Sequence, residues 1–137
     1  YDLWVLGPNG FHRHFTGNAA AIASASQPNP ELKTCYDVAN GDLQLTLHNT
    51  GTAACTFQIT ANAYLSTSAK KRTVQPGAAE TFIWGLKDSG HWYDFSVTVD
   101  GQSGYSRRVA GRVETGKDSV SDPAMHGTAV GDQLKVA

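Results

Sequence analysis

The sequence lacks the features that mark several common classes of protein. No apolar run approaches the roughly 20 residues that a membrane-spanning helix needs. The 11 Lys and Arg residues are balanced by 12 Asp and Glu residues, and the net charge of −1 argues against a nucleic-acid-binding domain, which is normally clearly basic. No signal peptide opens the chain, which starts in the strand-like segment YDLWVL. We therefore expect a domain excised from a longer protein.

Cysteine is also scarce, and Cys35 and Cys55 are too few for a disulfide framework. A bridge between them would close a loop of about 20 residues and would stabilise the fold by roughly 3 kcal/mol. The alternative is two free thiols that are buried as small apolar groups. Cys55 is in phase with Phe57, whereas Cys35 is out of phase with Tyr36, which is awkward for a bridge. Both alternatives remain open at this point.

What the sequence does contain is apolar alternation with a period of two residues, which is typical of half-buried strands. In GDLQLTLHNTG, for example, Leu43, Leu45 and Leu47 share one face. Turn signals separate such segments every 8–12 residues or so, as in an antiparallel sandwich. The sequence therefore predicts an all-β, immunoglobulin-like antiparallel β-sandwich of seven to eight strands, with a small barrel as the alternative. The clearest further segments are LWVL, FHRHF, ACTFQITAN, ETFIWGL, WYDFSVTVDG and YSRRVAGRVE.

Three local features refine this prediction. Asn40-Gly41 supplies the positive φ angles of a two-residue hairpin turn. YSRRVAGRVE alternates less cleanly than the other segments and resembles an edge strand. The Ala-rich stretch 18–30 ends in two prolines, which favours a loop with at most one short helix.

The alternation stops near residue 115, and the rest of the chain is polar and Gly-rich. We therefore divide the sequence into a β-sandwich over 1–115 and a C-terminal extension over 116–137. We expect the extension to be partly disordered, mainly in its last ten residues or so.

Catalytic and metal-binding patterns find little support. His12 and His14 share a face of one strand and could begin a zinc site, but no third ligand offers itself by spacing. No nucleophile elbow or phosphate-binding loop occurs. Asp94 and Asp100 are the carboxylates closest to strands, and they are more typical of solvent-facing or turn positions. The sequence therefore predicts no catalytic residue, no metal site and no cofactor.

Aromatic residues are the better candidates for binding. Trp92 falls opposite the inward-facing residues of its strand, so we expect it to be exposed, with Tyr93 beside it. The three tryptophans Trp4, Trp84 and Trp92, together with Tyr93, could line a platform for a lipid or a sugar, although filling the core or its rim is the more common role of aromatic residues.

Several segments have an amino-acid sequence that is specific enough to indicate a protein family. YDLWVLGPNGFHRHFTG, LTLHNTG and GHWYDFSVTVDGQSGYSRRVAGRVETGKDSVSDPAM occur in this order over residues 1 to about 125. Together they resemble the C-terminal domain of bacterial phosphocholine-specific phospholipases C. The resemblance implies a secreted parent enzyme, extracellular or periplasmic, whose separate N-terminal domain is similar to alkaline phosphatase and hydrolyses phosphatidylcholine to diacylglycerol and phosphocholine.

The resemblance further implies that this domain is a noncatalytic accessory module, because it carries over no catalytic residue. Its expected role is to dock the enzyme on a lipid surface or to brace the catalytic domain. Its expected partners are the N-terminal catalytic domain and a choline-phospholipid surface, and not nucleic acid. For a lipid or partner contact we predict Trp92 and Tyr93, together with His12 and His14 near the GPNG turn. The alternative function is that of a generic protein-interaction or carbohydrate-binding β-sandwich.

Overall fold

The alternating segments form two antiparallel β-sheets. In the computed structural model, which describes residues 1–22 and 26–126, the six-stranded sheet has the order β1-β2-β9-β8-β5-β6 and the three-stranded sheet the order β3-β4-β7. All neighbouring strands within each sheet are antiparallel. The strands of this described part are β1 (Asp2–Leu6), β2 (His12–Thr16), β3 (Pro30–Asp37), β4 (Asp42–Asn49), β5 (Cys55–Ala63), β6 (Lys70–Val74), β7 (Ala79–Trp84), β8 (Trp92–Val99) and β9 (Ser106–Arg112).

The prediction of an all-β antiparallel sandwich is confirmed. The described residues contain nine strands, one more than the upper end of the predicted range. The additional strand is β6, whose sequence KKRTV is charged and largely exposed and therefore lacks the apolar alternation that identifies the others. The short helix α1 (Ala19–Ile22) lies in the Ala-rich stretch. No helix of the described residues is long and apolar enough to cross a bilayer.

The core lies between the two sheets. Every second residue of β4 is buried, which places its three leucines in the core, and Phe57 and Phe95 face them from the larger sheet. The rings of Trp84 on β7 and Phe95 on β8 lie 4.6 Å apart between their centroids, so the sheets are in direct contact. Because successive side chains of a strand point to opposite faces, this contact determines which alternate residues of each strand face the core.

The two sheets differ in width, and this leaves part of the larger one uncovered. Val5 on β1 pairs with Arg13 on β2, which in turn pairs with the buried Val109 on β9, so all three lie on the inner face. Leu3 has the same parity as Val5, yet both side chains are at least half exposed. At β1 the inner face of the six-stranded sheet is therefore open to solvent.

Two local predictions are corrected. The strand β9 is not an edge strand but lies between β2 and β8. Its irregular alternation arises because Arg107 faces inward, where aromatic rings surround its guanidinium group. The connection between β3 and β4 has four residues rather than two, because Asp37 and Asp42 form the last pair.

The disulfide alternative is also corrected. Both cysteines are free thiols, with Cys55 buried in the core and Cys35 exposed on β3. Cys55 faces inward from β5, whereas the parity of Cys35 directs it away from the core. Free thiols were expected to be buried as small apolar groups, and this is true of Cys55 but not of Cys35.

The segment after β9 folds back onto the domain as far as the structure describes it. Trp92 Nε1 donates a hydrogen bond of 3.1 Å to the carbonyl of Val120, and Tyr64 Oη donates one of 2.8 Å to Asp122. A short 3₁₀ helix follows at Pro123–His126. The disorder predicted for the last ten residues or so concerns 127–137, which lie outside the described residues.

Candidate interaction surface

Exposed apolar side chains concentrate on the first strand and its approach. We call Tyr1, Leu3, Trp4, Val5 and Leu6 the β1 surface, and each of them is at least half exposed. Leu6 is 74% exposed and Trp4 56%. Leu3 and Val5 lie on the inner face of the sheet, whereas Trp4 and Leu6 lie on the outer face, so β1 presents apolar groups on both sides.

Trp4 is held in place by two histidines and a carboxylate. Its ring stacks on His14 at a centroid distance of 3.9 Å and on His12 at 4.8 Å. Its Nε1 donates a 3.0 Å hydrogen bond to Asp2 Oδ1, which lies 2.6 Å from His14 Nε2. Burial and the positive charge of Arg108 lower the pKa of His12. The indole is therefore fixed in one orientation with part of its surface open to solvent.

Beneath the β1–β2 hairpin, a buried arginine ties the two sheets together. Arg13 donates hydrogen bonds to Tyr36 Oη at 2.8 Å and to Tyr93 Oη at 3.0 Å, and its guanidinium group lies 4.2 Å from the centre of the Phe11 ring. Tyr36 belongs to β3 and Tyr93 to β8, so this network joins the hairpin to both sheets. Burial and the hydrogen bond with Tyr36 raise the pKa of Tyr93. We assign this cluster a structural role.

Arg107 anchors the other end of the hairpin. It donates hydrogen bonds to the Thr16 carbonyl at 2.7 Å and to Tyr1 Oη at 2.8 Å, and it lies 4.3 Å from the centre of the Tyr105 ring. Its Nε is 3.4 Å from Glu31, a partner on β3. The two arginines hold β2 firmly, and β1 is attached through β2.

A groove of about 460 Å³ continues the β1 surface past the hairpin tip. Leu6, Phe11 and Tyr36 give it an apolar wall. At its end Arg112 Nη1 donates a 2.6 Å hydrogen bond to Glu114 Oε2, which neutralises the charge of the almost completely buried guanidinium group. The groove and the β1 surface together form a continuous apolar region.

The two aromatic residues predicted to contact lipid are buried. Trp92 is only 6% exposed, and Tyr93 is completely buried in the core. Trp92 does lie opposite the inward-facing residues, as its parity predicts, but Val120 and the segment around it cover the ring. The tryptophan that is exposed is Trp4, and the predicted His12 and His14 lie directly against it.

Sequence reasoning named Trp4 among the aromatic residues that could line a binding platform, but it did not select Trp4 as a predicted contact. The signal that could have found it is its position in LWVL, where apolar residues occupy both parities of a strand. A strand that is buried on one face alternates, so an unbroken apolar run indicates either burial on both faces or an apolar surface. The sequence alone does not distinguish these two cases.

Metal-ligand clusters are absent from residues 1–22 and 26–126. No three His, Cys, Asp or Glu side chains in these ranges come together as metal ligands. Asp94, predicted to face solvent, is buried and forms hydrogen bonds of 2.9 and 2.6 Å with Arg108 and one of 2.8 Å with Asn62. A carboxylate held in this way serves the structure, because its lone pairs are already engaged.

The fold and this surface define a β-sandwich domain with an apolar edge strand, among whose described residues no cluster of potential metal ligands occurs. The profile of the family described as "Bacterial phospholipase C, C-terminal domain" matches residues 30–112. The chain belongs to this family. It therefore corresponds to the C-terminal domain of bacterial phospholipases C.

Phospholipases C of two bacterial species are similar in sequence to this chain, in agreement with this assignment. The chain is 46% identical over 123 residues to a non-hemolytic phospholipase C of Burkholderia pseudomallei. The matched region covers 90% of this chain and 17% of that protein. The chain is 41% identical over 127 residues to a hemolytic phospholipase C of Pseudomonas aeruginosa, covering 91% of this chain and 17% of that protein. A non-hemolytic phospholipase C of the same species is 37% identical over 126 residues. The chain thus spans less than a fifth of the length of these relatives.

Proposed function

We propose that this domain is noncatalytic and braces the remaining part of a secreted phospholipase C. The observation that carries the proposal is the β1 surface, which leaves apolar side chains half exposed on both faces of an edge strand. Such a strand is a liability in an isolated domain because it invites aggregation. Packing against a larger part of the same enzyme would remove this apolar area from water and stabilise both parts.

The parent activity that we propose is hydrolysis of phosphatidylcholine to diacylglycerol and phosphocholine outside the cytoplasm. The names of the relatives support a phospholipase C activity for the whole polypeptide. The described residues of this domain contribute no cluster of metal ligands to that reaction. We accordingly assign the chemistry to the part of the enzyme that lies outside this chain.

Deletion of this domain from its phospholipase tests the brace. We expect the remaining enzyme to melt at a lower temperature and to lose phosphatidylcholine hydrolysis faster on heating, because the apolar contact is lost. The initial rate at low temperature should change much less. An enzyme whose melting temperature and inactivation rate are unchanged by the deletion would contradict the proposal.

Lipid docking is the second candidate, and the exposure of Trp4 and Leu6 on the outer face favours it. The test is co-sedimentation of the 137-residue chain with phosphatidylcholine vesicles, with anionic vesicles as the comparison. Docking predicts binding to phosphatidylcholine that Trp4→Ala weakens. The matched control is Ile83→Ala on β7, because Ile83 is 64% exposed and belongs to the other sheet. Absence of vesicle binding would leave the brace as the function of the domain.

A further inference from the structure

We infer that β1 is an acceptor strand: an extended segment of the same phospholipase, outside this chain, adds to its free edge as a seventh strand of the larger sheet. This inference rests on the proposed function and specifies how the brace is made. It assigns the partner by its chemistry, which is a peptide main chain with apolar side chains. The groove beside the hairpin tip would receive side chains that flank the added strand.

The main chain of β1 has hydrogen-bonding groups to offer. Tyr1 exchanges both main-chain hydrogen bonds with Gly17, and Gly7 donates to the carbonyl of Phe11. Because such pairs alternate along an antiparallel ladder, Leu3 and Val5 also bond towards β2. The N–H and C=O groups of the residues between them, Asp2, Trp4 and Leu6, therefore point away from the sheet. As far as the structure describes the chain, β1 is the last strand on that side.

The opposite edge of the same sheet shows what a protected edge looks like. Strand β6 carries Lys70, Lys71 and Arg72 in succession. Charges of this kind, lysine in particular, prevent another strand from adding to an edge. The only charged residue of β1 is Asp2, and its carboxylate is already engaged by Trp4 and His14. Of the two edges, β1 is the one without protection.

The outward main-chain groups favour a strand over a lipid bilayer as the occupant. A bilayer could receive the apolar side chains of β1, but its hydrocarbon offers no partner to the N–H and C=O groups of Asp2, Trp4 and Leu6. Hydrocarbon strongly disfavours main-chain N–H and C=O groups that remain unpaired. An added strand pairs these groups and covers the side chains on both faces in a single contact.

Effective concentration favours the same polypeptide over a second copy. More than four-fifths of the length of the relatives lies outside the region that this chain matches, so most of the enzyme is available as a partner. A segment tethered to the domain is presented at an effective concentration of the order of 1 mM. Two separate copies at lower concentrations would pair less often at this edge.

Amide hydrogen exchange tests the inference in the whole phospholipase and in the 137-residue chain. In the whole enzyme, we expect the outward amides of Asp2, Trp4 and Leu6 to exchange at least about 100-fold more slowly than in the chain alone, because each is held in a ladder. The amides of Leu3 and Val5, which bond towards β2, should be protected in both proteins. Equal exchange of the outward amides in the two proteins would overturn the inference.

Charged substitutions provide the second measurement. The double variant Leu3→Lys/Val5→Lys protects the edge as β6 is protected, so it should abolish the slow exchange of the outward amides. The matched variant Ile83→Lys on β7 should leave it unchanged. Slow exchange of the core amides of β4 verifies in each case that the domain is folded. Protection that survives the double variant contradicts an added strand.

The remaining outcomes identify other occupants and also overturn the assignment. Protection in the isolated chain that rises with its concentration would indicate a second copy. Protection that appears only with phosphatidylcholine vesicles would indicate a bilayer. If the deletion experiment shows a brace while the outward amides exchange freely, only the added strand is wrong and the proposed function stands.

Discussion

At the scale of single residues, the buried tyrosines differ in how their hydroxyl groups are satisfied. Tyr93 Oη accepts a hydrogen bond from Arg13 and shares another with Tyr36 Oη. The hydroxyl of Tyr105 is buried without a hydrogen-bond partner among the described residues. Since a buried unsatisfied polar group costs free energy, the two hydroxyl groups should have opposite effects on stability.

Two phenylalanine substitutions compare these effects. Tyr105→Phe keeps the ring on which Arg107 packs, and we expect the free energy of unfolding to stay the same or to rise by up to about 1 kcal/mol. Tyr93→Phe leaves Arg13 without one of its acceptors, and we expect a loss of about 1 to 3 kcal/mol. Urea unfolding at pH 7 measures both. A similar loss in the two variants would show that the Tyr105 hydroxyl has a partner.

The same groups make the fold sensitive to alkaline pH. Burial raises the pKa of Tyr93 and Tyr105 above the ordinary value of 10.0, and it raises the pKa of Cys55 from 9.0 to about 11. The unfolded chain therefore releases these protons at lower pH than the folded chain. Stability is intact below pH 9 and falls as the pH rises through 9 and 10 and on towards the folded-state values.

Thermal unfolding between pH 7 and 11 measures this decline. We expect Tyr105→Phe to make the fall in melting temperature shallower, because one of the groups with a raised pKa no longer ionises. A pH profile identical to that of the unsubstituted chain would contradict the role of Tyr105. Measurements at pH 7 are the internal control, since none of the three groups is ionised there in either state.

Some residue-level features were predictable from the sequence and others were not. Parity placed Trp92 on the outer face of its strand, which is where it lies. Its exposure could not be predicted, because the cover comes from Val120, which is 28 residues away along the chain. The same limit applies to Asp94, which has a polar outward parity but is buried by Asn62 and Arg108.

At the scale of elements, the strands that alternate cleanly were the predictable ones. In β4, β5 and β8 the core decides the identity of every second residue, so the pattern is visible in the sequence. The strand β6 was missed because its side chains are nearly all exposed. The strand β9 was misjudged because its inward-facing Arg107 breaks the apolar alternation, as a charged residue on an edge strand would. In both cases the pairing partners, rather than the local sequence, determine the element.

The turn between β3 and β4 gives a prediction at this scale. Gly41 has φ +76°, and a Cβ atom there would overlap the ring of His91. Gly77 has φ +73° with nothing within 4 Å of such an atom. We expect Gly77→Ala to cost about 1 kcal/mol, which is the conformational strain alone.

Gly41→Ala should cost at least about 1 kcal/mol more than Gly77→Ala, because the overlap adds to the strain. Chemical denaturation of both variants gives the difference, in which the contribution of positive φ cancels. Equal losses would mean that the His91 ring can move aside without cost. His91 Nδ1 lies 2.9 Å from the carbonyl oxygen of Gly41. In the Gly41→Ala variant the displaced ring could not keep this contact, so its loss is a further check.

At the scale of the whole molecule, the segment after β9 covers the outer face of the larger sheet around Trp92. Asp122 holds this segment by accepting hydrogen bonds from Tyr64 Oη at 2.8 Å and from the amide of Ala124 at 2.9 Å. Trp92 lies beneath it. Loss of the carboxylate should therefore loosen the cover over Trp92 without disturbing the core.

Fluorescence quenching tests this arrangement in a Trp4→Phe background, which removes the exposed tryptophan. We expect Asp122→Ala to increase quenching of the tryptophan emission by acrylamide and to shift the emission to longer wavelength. The matched control is Asp118→Ala, a substitution at an exposed position of the same segment. Equal quenching in the two variants would show that Asp122 does not hold the cover.

The strand order also has a consequence for how the domain is made on the ribosome. The β1–β2 hairpin joins the sheet only through β9, because Thr16 pairs with Ser106. Translation reaches that partner about 90 residues later, so at 5–20 residues per second the hairpin waits roughly 5 to 20 s after it emerges. During this interval its apolar strand is open to whatever part of the polypeptide has already been synthesised. The added strand that we propose could therefore pair with β1 before the sandwich itself is complete.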